Sequence, residues 1–251
     1  MLRVCIVIPV HDEEVIVERS IRMVFAYLDA LPHETTICVV NDGSRDATPR
    51  ILARLAEELH DERFCVVHHE TNHGYGAALR TGIRYAVVGG FDYALFMDSD
   101  LTNHPRYLTL FYEKMSEKWA YIKASRFAPR SAIIGVPWQR QLLSRVGNGV
   151  ARALYQLPIR DHTNGFRAVR TALLRQMVLR EHGFAIIMEE LCEAKRLGAT
   201  FCEIPYTLTS RGSENGHSHL SYGFRTWHQY FTHARHASRI PYRASEHTTT
   251  V

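Results

Sequence analysis

The first hundred residues alternate between two hydrophobic periods, and that alternation limits the fold more than any other feature of the chain. Arg3–Ile8 is rich in β-branched residues and reads as a buried strand, whereas Val15–Leu31 carries apolar residues at helical spacing. Thr36–Val40, Phe64–His68 and Asp92–Met97 repeat the strand pattern. Asp46–Leu59 and Gly76–Val88 repeat the helical one, with Asp46 or Thr48 placed to cap and Pro49 in the first turn. Strands alternating with helices predict βαβ units, hence an α/β fold with a mainly parallel central sheet flanked by helices.

Beyond residue 100 the pattern loosens. Pro105–Lys118, Pro137–Tyr155, Thr171–Leu179 and Ala185–Leu197 read as helices, and Trp119–Ala124 and Thr200–Ile204 as strands. Gly147 and Gly149 weaken the helical pattern of Pro137–Tyr155. With 251 residues, no internal repeat and no low-complexity linker, one domain over residues 1–221 is the simplest division. A basic, aromatic helix at 222–241 and a polar tail at 242–251, expected to be disordered, would follow it.

Composition narrows the function. No apolar run approaches the length that spans a bilayer, and Met1-Leu2-Arg3 leads directly into the first strand without the pattern of a signal peptide. The five cysteines include no Cys-x-x-Cys and lie in apolar runs, so they read as reduced core thiols of a cytoplasmic protein. Net charge is only +4, yet Lys118–Arg160 contains no Asp or Glu among its eight Lys and Arg residues, and 220–243 is also free of acids. Such stretches attract phosphates, nucleic acid or an anionic membrane surface; with the motifs below, no nucleic-acid partner is expected.

In an open parallel sheet, ligands bind beyond the carboxyl ends of the strands. The residues there are Pro9-Val10-His11-Asp12-Glu13-Glu14, Asn41-Asp42-Gly43-Ser44, Asn72-His73-Gly74-Tyr75-Gly76 and Asp98-Ser99-Asp100. Three of these four ends bring carboxylates to one edge, which calls for a cation or for recognition of a base. Asp98 and Asp100 are two apart on extended chain and point the same way. Two hard oxygen ligands suit Mg²⁺ or Mn²⁺, whose shell is completed by water and substrate phosphates. There is no P-loop, Leu79 stands where a dinucleotide fingerprint needs Gly or Ala, and no Gly-x-Ser-x-Gly elbow occurs.

Taken in order, these segments resemble the family 2 glycosyltransferases, within them the dolichyl-phosphate mannosyltransferase and polyprenyl-phosphate glycosyltransferase branch. The resemblance runs from about Val4 to Ser221 and includes Ser125-Arg126-Phe127 and Asp161-His162-Thr163-Asn164-Gly165-Phe166-Arg167-Ala168. It implies a GT-A-like domain and an inverting transfer from a nucleotide-diphospho-sugar, GDP-mannose first and UDP-glucose next, to a polyprenyl phosphate. It further implies that Pro9, His11, Glu13, Asp42, Gly74, Asp98 and Ser99 line the donor site. Asp98 and Asp100 would hold the metal, Arg126 would neutralise phosphate charge, and Glu189 is the acid of the acceptor side. Arg126, Arg167, Arg211, Ser218 and His219 would face the acceptor. His11 replaces the family's usual Tyr, Asp12 its Asn, and His219 the Lys of a late loop that is here two residues longer.

Other readings stay beside this one. A hydroxyl acceptor would need a general base, and Glu189 is then the candidate. A catalytically silent, nucleotide-sugar-binding partner subunit is the reading of another class. A nucleotidyltransferase is disfavoured because Pro9–Glu14 is not a Gly-rich, Arg-containing loop. Trp227, Tyr230, Phe231 and Ala234 form a stripe that either docks on the domain or contacts a membrane surface. A membrane partner subunit is a further route to a lipid.

Overall fold

The computed structural model describes residues 1–209 and 224–244. Strand β1 (Arg3–Val10) is buried from Val4 onward, as a strand covered on both faces must be. Helix α1 (Val17–Phe25) turns Val17, Ile21 and Val24 inward at helical spacing. Strand β2 (Glu34–Asp42), helix α2 (Thr48–Leu59), strand β3 (Phe64–His69), helix α3 (Tyr75–Val88) and strand β4 (Tyr93–Phe96) complete the expected alternation. Helix α4 (Leu108–Ser116), strands β5 (Tyr121–Ser125) and β6 (Ala132–Ile134), helix α5 (Trp138–Tyr155) and strand β7 (Arg167–Arg170) follow. Helices α6 (Thr171–Leu174) and α7 (Ile186–Arg196), strands β8 (Phe201–Pro205) and β9 (Thr207–Thr209) and helix α8 (Phe224–Ala237) come last.

The main sheet has the order β3-β2-β1-β4-β7-β5-β8, with β6 and β9 pairing separately. All its pairings are parallel except those of β7, which runs antiparallel to both β4 and β5. Side-chain alternation along β1 divides the core in two. Cys5 and Val7 join the cluster under α3, α7 and α8; Val4, Ile6 and Ile8 join the one under α1, α2 and α4. The five cysteines are free thiols, with Cys5, Cys38 and Cys192 buried.

Three sequence expectations change. The helix expected over Thr171–Leu179 stops at Leu174. Its continuation is diverted because the amide of Val178 donates to Glu193 (3.1 Å) and those of Arg180 and Glu181 donate to Glu189 (2.9 Å). The glycines of α5 do not break it; an added Cβ at Gly147 would lie 3.1 Å from the Trp227 ring, so the residue permits close approach of α8. The start of the expected tail is docked: Tyr242 packs on Phe201 (5.9 Å between centroids) and its hydroxyl donates to the Ala199 carbonyl (3.0 Å).

Candidate active site

The loops after β1 and β2 hold each other by side chain to backbone bonds. The amide of Asp12 donates to Ser44 (3.0 Å), that of Glu13 to Thr48 (2.9 Å) and that of Glu14 to Asp46 (3.0 Å). In return Asp12 accepts from the amide of Arg45 (2.7 Å) and Glu14 from that of Ala47 (2.7 Å). Pro9 and Glu13 are buried at this edge. Asp42 ties in the third loop. Its carboxylate accepts from the amides of His73 (3.0 Å) and Gly74 (2.8 Å) and lies 2.7 Å from Nδ1 of His69.

His11 closes this frame with both ring nitrogens. Its Nδ1 lies 2.9 Å from the Asp42 carbonyl, which can only accept, so Nδ1 carries the proton. Nε2 lies 2.8 Å from the Asn72 side-chain nitrogen and 3.3 Å from the Asp12 carboxylate. Gly74 has φ of 94°, and a Cβ there would meet the His182 carbonyl at 2.5 Å. At Gly76 a Cβ would meet the Glu181 carbonyl at 2.2 Å, so both glycines serve a close backbone crossing. That crossing is closed by Gly76 N–H donating to His182 O (2.7 Å).

The two aspartates after β4 have different surroundings. Asp98 accepts from the Tyr75 hydroxyl (3.2 Å) and from Asn103 (3.0 Å). Burial first, and then the charge of Asp100, push its carboxyl up to about 6, against the lowering effect of those hydrogen bonds. Asp100 is fixed by the Thr102 amide (3.0 Å) and hydroxyl (2.6 Å). Ser99 between them is buried. A desolvated carboxylate beside a like charge favours a divalent cation, so the pair fits the ion read from the sequence. Among the described residues no group of three or more His, Cys, Asp or Glu completes a protein-only cage. Donor phosphates and water would supply the other ligands.

The acceptor-side residues fall out less simply. Arg126 faces the buried Asp161 through two bonds (2.7 and 2.8 Å) and donates to Thr163 (2.8 Å). Its positive charge is therefore largely matched within the fold. Arg167 is wholly buried and ion-paired to Glu190 (2.5 and 2.6 Å), with its guanidinium 4.2 Å over the Phe96 ring. A guanidinium with no exposed surface touches no acceptor, so its assignment to the acceptor side is corrected. What it does is favour the charged form of Asp98 from inside the core. Glu189 is buried, with both oxygens on the Arg180 amide and one on that of Glu181. Arg211, Ser218 and His219 lie outside the described residues.

The stripe on α8 is docked over most of its length, while Phe231 is 56% exposed. Tyr230, Ala234 and Ala237 are buried, and Tyr230 donates to the Phe184 carbonyl (3.4 Å). Phe184 stacks on Tyr75 (4.5 Å), the tyrosine that holds Asp98. Among the described residues no helix is long and apolar enough to cross a membrane.

The family model described as glycosyl transferase family 2 matches residues 5–180, more than half of the chain. The chain belongs to glycosyl transferase family 2. This glycosyltransferase is 30% identical over 226 residues to undecaprenyl-phosphate mannosyltransferase of Micrococcus luteus, covering 88% of this chain and 89% of that one. It is 28% identical over 213 residues to polyprenol monophosphomannose synthase of Mycolicibacterium smegmatis, covering 83% and 78%. Among solved structures, glucosyl-3-phosphoglycerate synthase of Mycobacterium tuberculosis in complex with Mn²⁺, UDP and phosphoglyceric acid matches with a TM-score of 0.67 at 20% identity. That match covers 96% of this chain and 80% of the other, and establishes the GT-A fold; a further structure of that protein contains Mg²⁺ and UDP.

Sequence reasoning missed the residues that hold the site residues in place. Tyr75 and Asn103 aim Asp98, His69 holds Asp42, and Tyr206 donates to the Thr102 carbonyl (2.5 Å) under the second aspartate. For Tyr75 a signal existed, an aromatic residue opening a helix between two glycines. Tyr206, 104 residues from Thr102, left none.

Proposed function

We propose that this glycosyltransferase moves a hexose, mannose first and glucose second, from a nucleoside diphosphate to the phosphate of a polyprenyl phosphate. Similarity over nearly the whole chain to two enzymes named for polyprenyl-phosphate mannose transfer supports the substrates. One observation favours a phosphate over a hydroxyl acceptor: the Glu189 carboxylate is occupied by two backbone amides. A hydroxyl would need that base free, whereas a phosphate monoester, with its second pKa near 6, is already ionised at neutral pH.

In this reading the loops at Pro9–Glu13, Asp42 and Gly74 frame the nucleoside. Tyr75 and Asn103 keep Asp98, and Thr102 keeps Asp100, directed at the donor diphosphate. Mg²⁺ or Mn²⁺ held by the two aspartates would neutralise charge building on the leaving group. A phosphate oxygen of the acceptor forms the new bond to the anomeric carbon from the opposite side. The bond from that carbon to the diphosphate oxygen breaks, and its electron pair leaves with the nucleoside diphosphate. Arg126, paired with Asp161, holds the 161–164 loop at the acceptor side, where Arg211, Ser218 and His219 are proposed to meet the phosphate.

The test is turnover with a panel of GDP- and UDP-sugars, a short polyprenyl phosphate and Mg²⁺ or Mn²⁺, with products resolved by mass spectrometry. A sugar linked to the lipid phosphate is expected. A hydroxyl-linked glycoside without any lipid-phosphate sugar would overturn the acceptor assignment.

A further inference from the structure

Helix α3 offers a polar face that the donor site does not use. Arg80, Thr81 and Arg84 are three and four residues apart, so they share one side of the helix. With His69 at the end of β3, His73 in the loop after it and His182 from the crossing loop, they line a cavity of about 310 Å³. That is the lower end of the range of small-molecule pockets, roughly 300–1,000 Å³. None of the residues assigned to the donor site lines it. In the sheet, β2 and β1 separate β3 from β4, the strand that leads to the two aspartates.

The lining carries donors and no carboxylate. Arg80 and Arg84 are like charges four apart on a helix, an arrangement that repels unless an anion lies between them. Arg84 is exposed and, among the described residues, has neither an ion pair nor a hydrogen bond. Arg80 donates to the Glu181 carbonyl, and a guanidinium has five N–H groups to give. The acids behind the lining are already engaged. The Asp42 carboxylate holds His69 and the amides of His73 and Gly74, and that of Glu181 holds His233 (2.8 Å) and Gln229 (2.9 Å). The imidazoles draw together as well. His182 Nδ1 donates to the His73 carbonyl (3.2 Å), and the His69 and His73 rings meet edge-on at 5.5 Å. Two guanidiniums, imidazoles and the Thr81 hydroxyl around one space form the donor set that recognises a phosphate.

We propose that this cavity is a second anion site, which takes a phosphate group that is not part of the sugar donor and strengthens donor binding when filled. His69 links the two sites: Nδ1 lies 2.7 Å from the Asp42 carboxylate and Nε2 2.9 Å from the Thr81 hydroxyl. The His73 amide donates to the same carboxylate (3.0 Å), and the His182 carbonyl closes the crossing at Gly76 (2.7 Å). A phosphate shared by His73 and His182 joins the two loops whose crossing shapes the donor site. Nucleotide and phosphate then raise each other's affinity by the same factor. The phosphate site stands on its own residues; its effect on the donor rests on the nucleotide-sugar reading.

The probes are inorganic phosphate and glycerol phosphate, titrated by calorimetry into the full chain without metal or donor, with chloride holding the ionic strength constant. One site is expected. Tighter binding of glycerol phosphate assigns it to a phosphate monoester, and tighter binding of inorganic phosphate to the free ion. Arg84→Gln should weaken binding roughly tenfold through the loss of a charge-assisted contact, and adding Arg80→Gln should abolish it. Arg84 is exposed, so the melting temperature of Arg84→Gln without phosphate should match that of the native chain. No binding of either probe by the native chain, or equal binding by Arg84→Gln, overturns the proposal. With Mg²⁺ present, saturating phosphate should raise the affinity for GDP or UDP roughly fivefold in the native chain and leave it unchanged in Arg84→Gln. A fall of the same size in both proteins would place the phosphate in the donor site itself and overturn the proposal. Unchanged nucleotide affinity in the native chain overturns the coupling. If phosphate binding depends on Arg84 yet neither nucleotide binds, the anion site stands and the donor reading falls.

Discussion

The two halves of this glycosyltransferase are built by different means. Up to β4, each site residue lies at the end of a strand or in the loop after it, and the loops are fixed by short side chain to backbone bonds such as Glu13 to Thr48 and Asp42 to Gly74. Beyond β4, buried ionisable groups do the positioning: Arg167 with Glu190, Arg126 with Asp161, and Lys123 donating to the Asn164 carbonyl (2.7 Å). The first arrangement relies on backbone geometry and tolerates exposure. The second relies on complete pairing in a low dielectric, where a missing partner is expensive. The donor side should therefore be sensitive to backbone shape and the acceptor side to single losses of charge.

The largest effect that would break this comparison is at Glu190. Glu190→Leu leaves Arg167 buried without a counter-charge and the Tyr121 hydroxyl without its acceptor (2.6 Å). A loss of about 3–5 kcal/mol in denaturant unfolding is expected, most of it recovered when Arg167→Met is added. A single substitution that costs less than the double would refute the pairing argument.

Next comes Gly74→Ala, which puts a Cβ against the His182 carbonyl at positive φ. The strain, on the order of 1–3 kcal/mol, should appear mainly as weaker nucleotide binding, about tenfold or more by calorimetry. Unchanged affinity would show that the crossing of the 72–76 and 180–184 loops does not shape the donor site.

The smallest effect at neutral pH is at His162. It is buried, neither ring nitrogen has a hydrogen-bond partner among the described residues, and burial, with Lys123 next, pushes it down to about 3. Its folded value lies below the unfolded one near 6.5, so protonation favours the unfolded chain. The stability that the neutral His162 ring contributes is then fully present above about 6.5 and is lost as pH falls toward 3. His162→Phe should change the melting temperature little at pH 7 and reduce its fall on acidification. Parallel pH profiles for the two proteins would contradict this.

The same contrast explains what was legible in the sequence. β1 to β4 announce themselves because burial on both faces demands local runs such as Val4–Val10. Strand β7 is Arg-Ala-Val-Arg, and nothing local shows that Arg167 is buried, since its partner is 23 residues away on α7. The aspartates of the site were readable because strand ends and spacing are local properties. Tyr75, Asn103, His69 and Tyr206 were not, because their role is a contact made only by the folded chain. The stripe on α8 could be read, but not which way it faces; that was decided by Gly147, which lets Trp227 approach α5.

The most direct test of the central claim is transfer of a hexose to polyprenyl phosphate by the native protein and by Asp100→Ala, with and without Mg²⁺ or Mn²⁺. Among the described residues Asp100 bonds to Thr102 alone, so the variant should fold as the native chain does. The account predicts metal-dependent formation of a lipid-phosphate sugar that falls on the order of a thousandfold in the variant. Equal transfer by the two proteins, or nucleotide-sugar binding with no transfer by either, would contradict it.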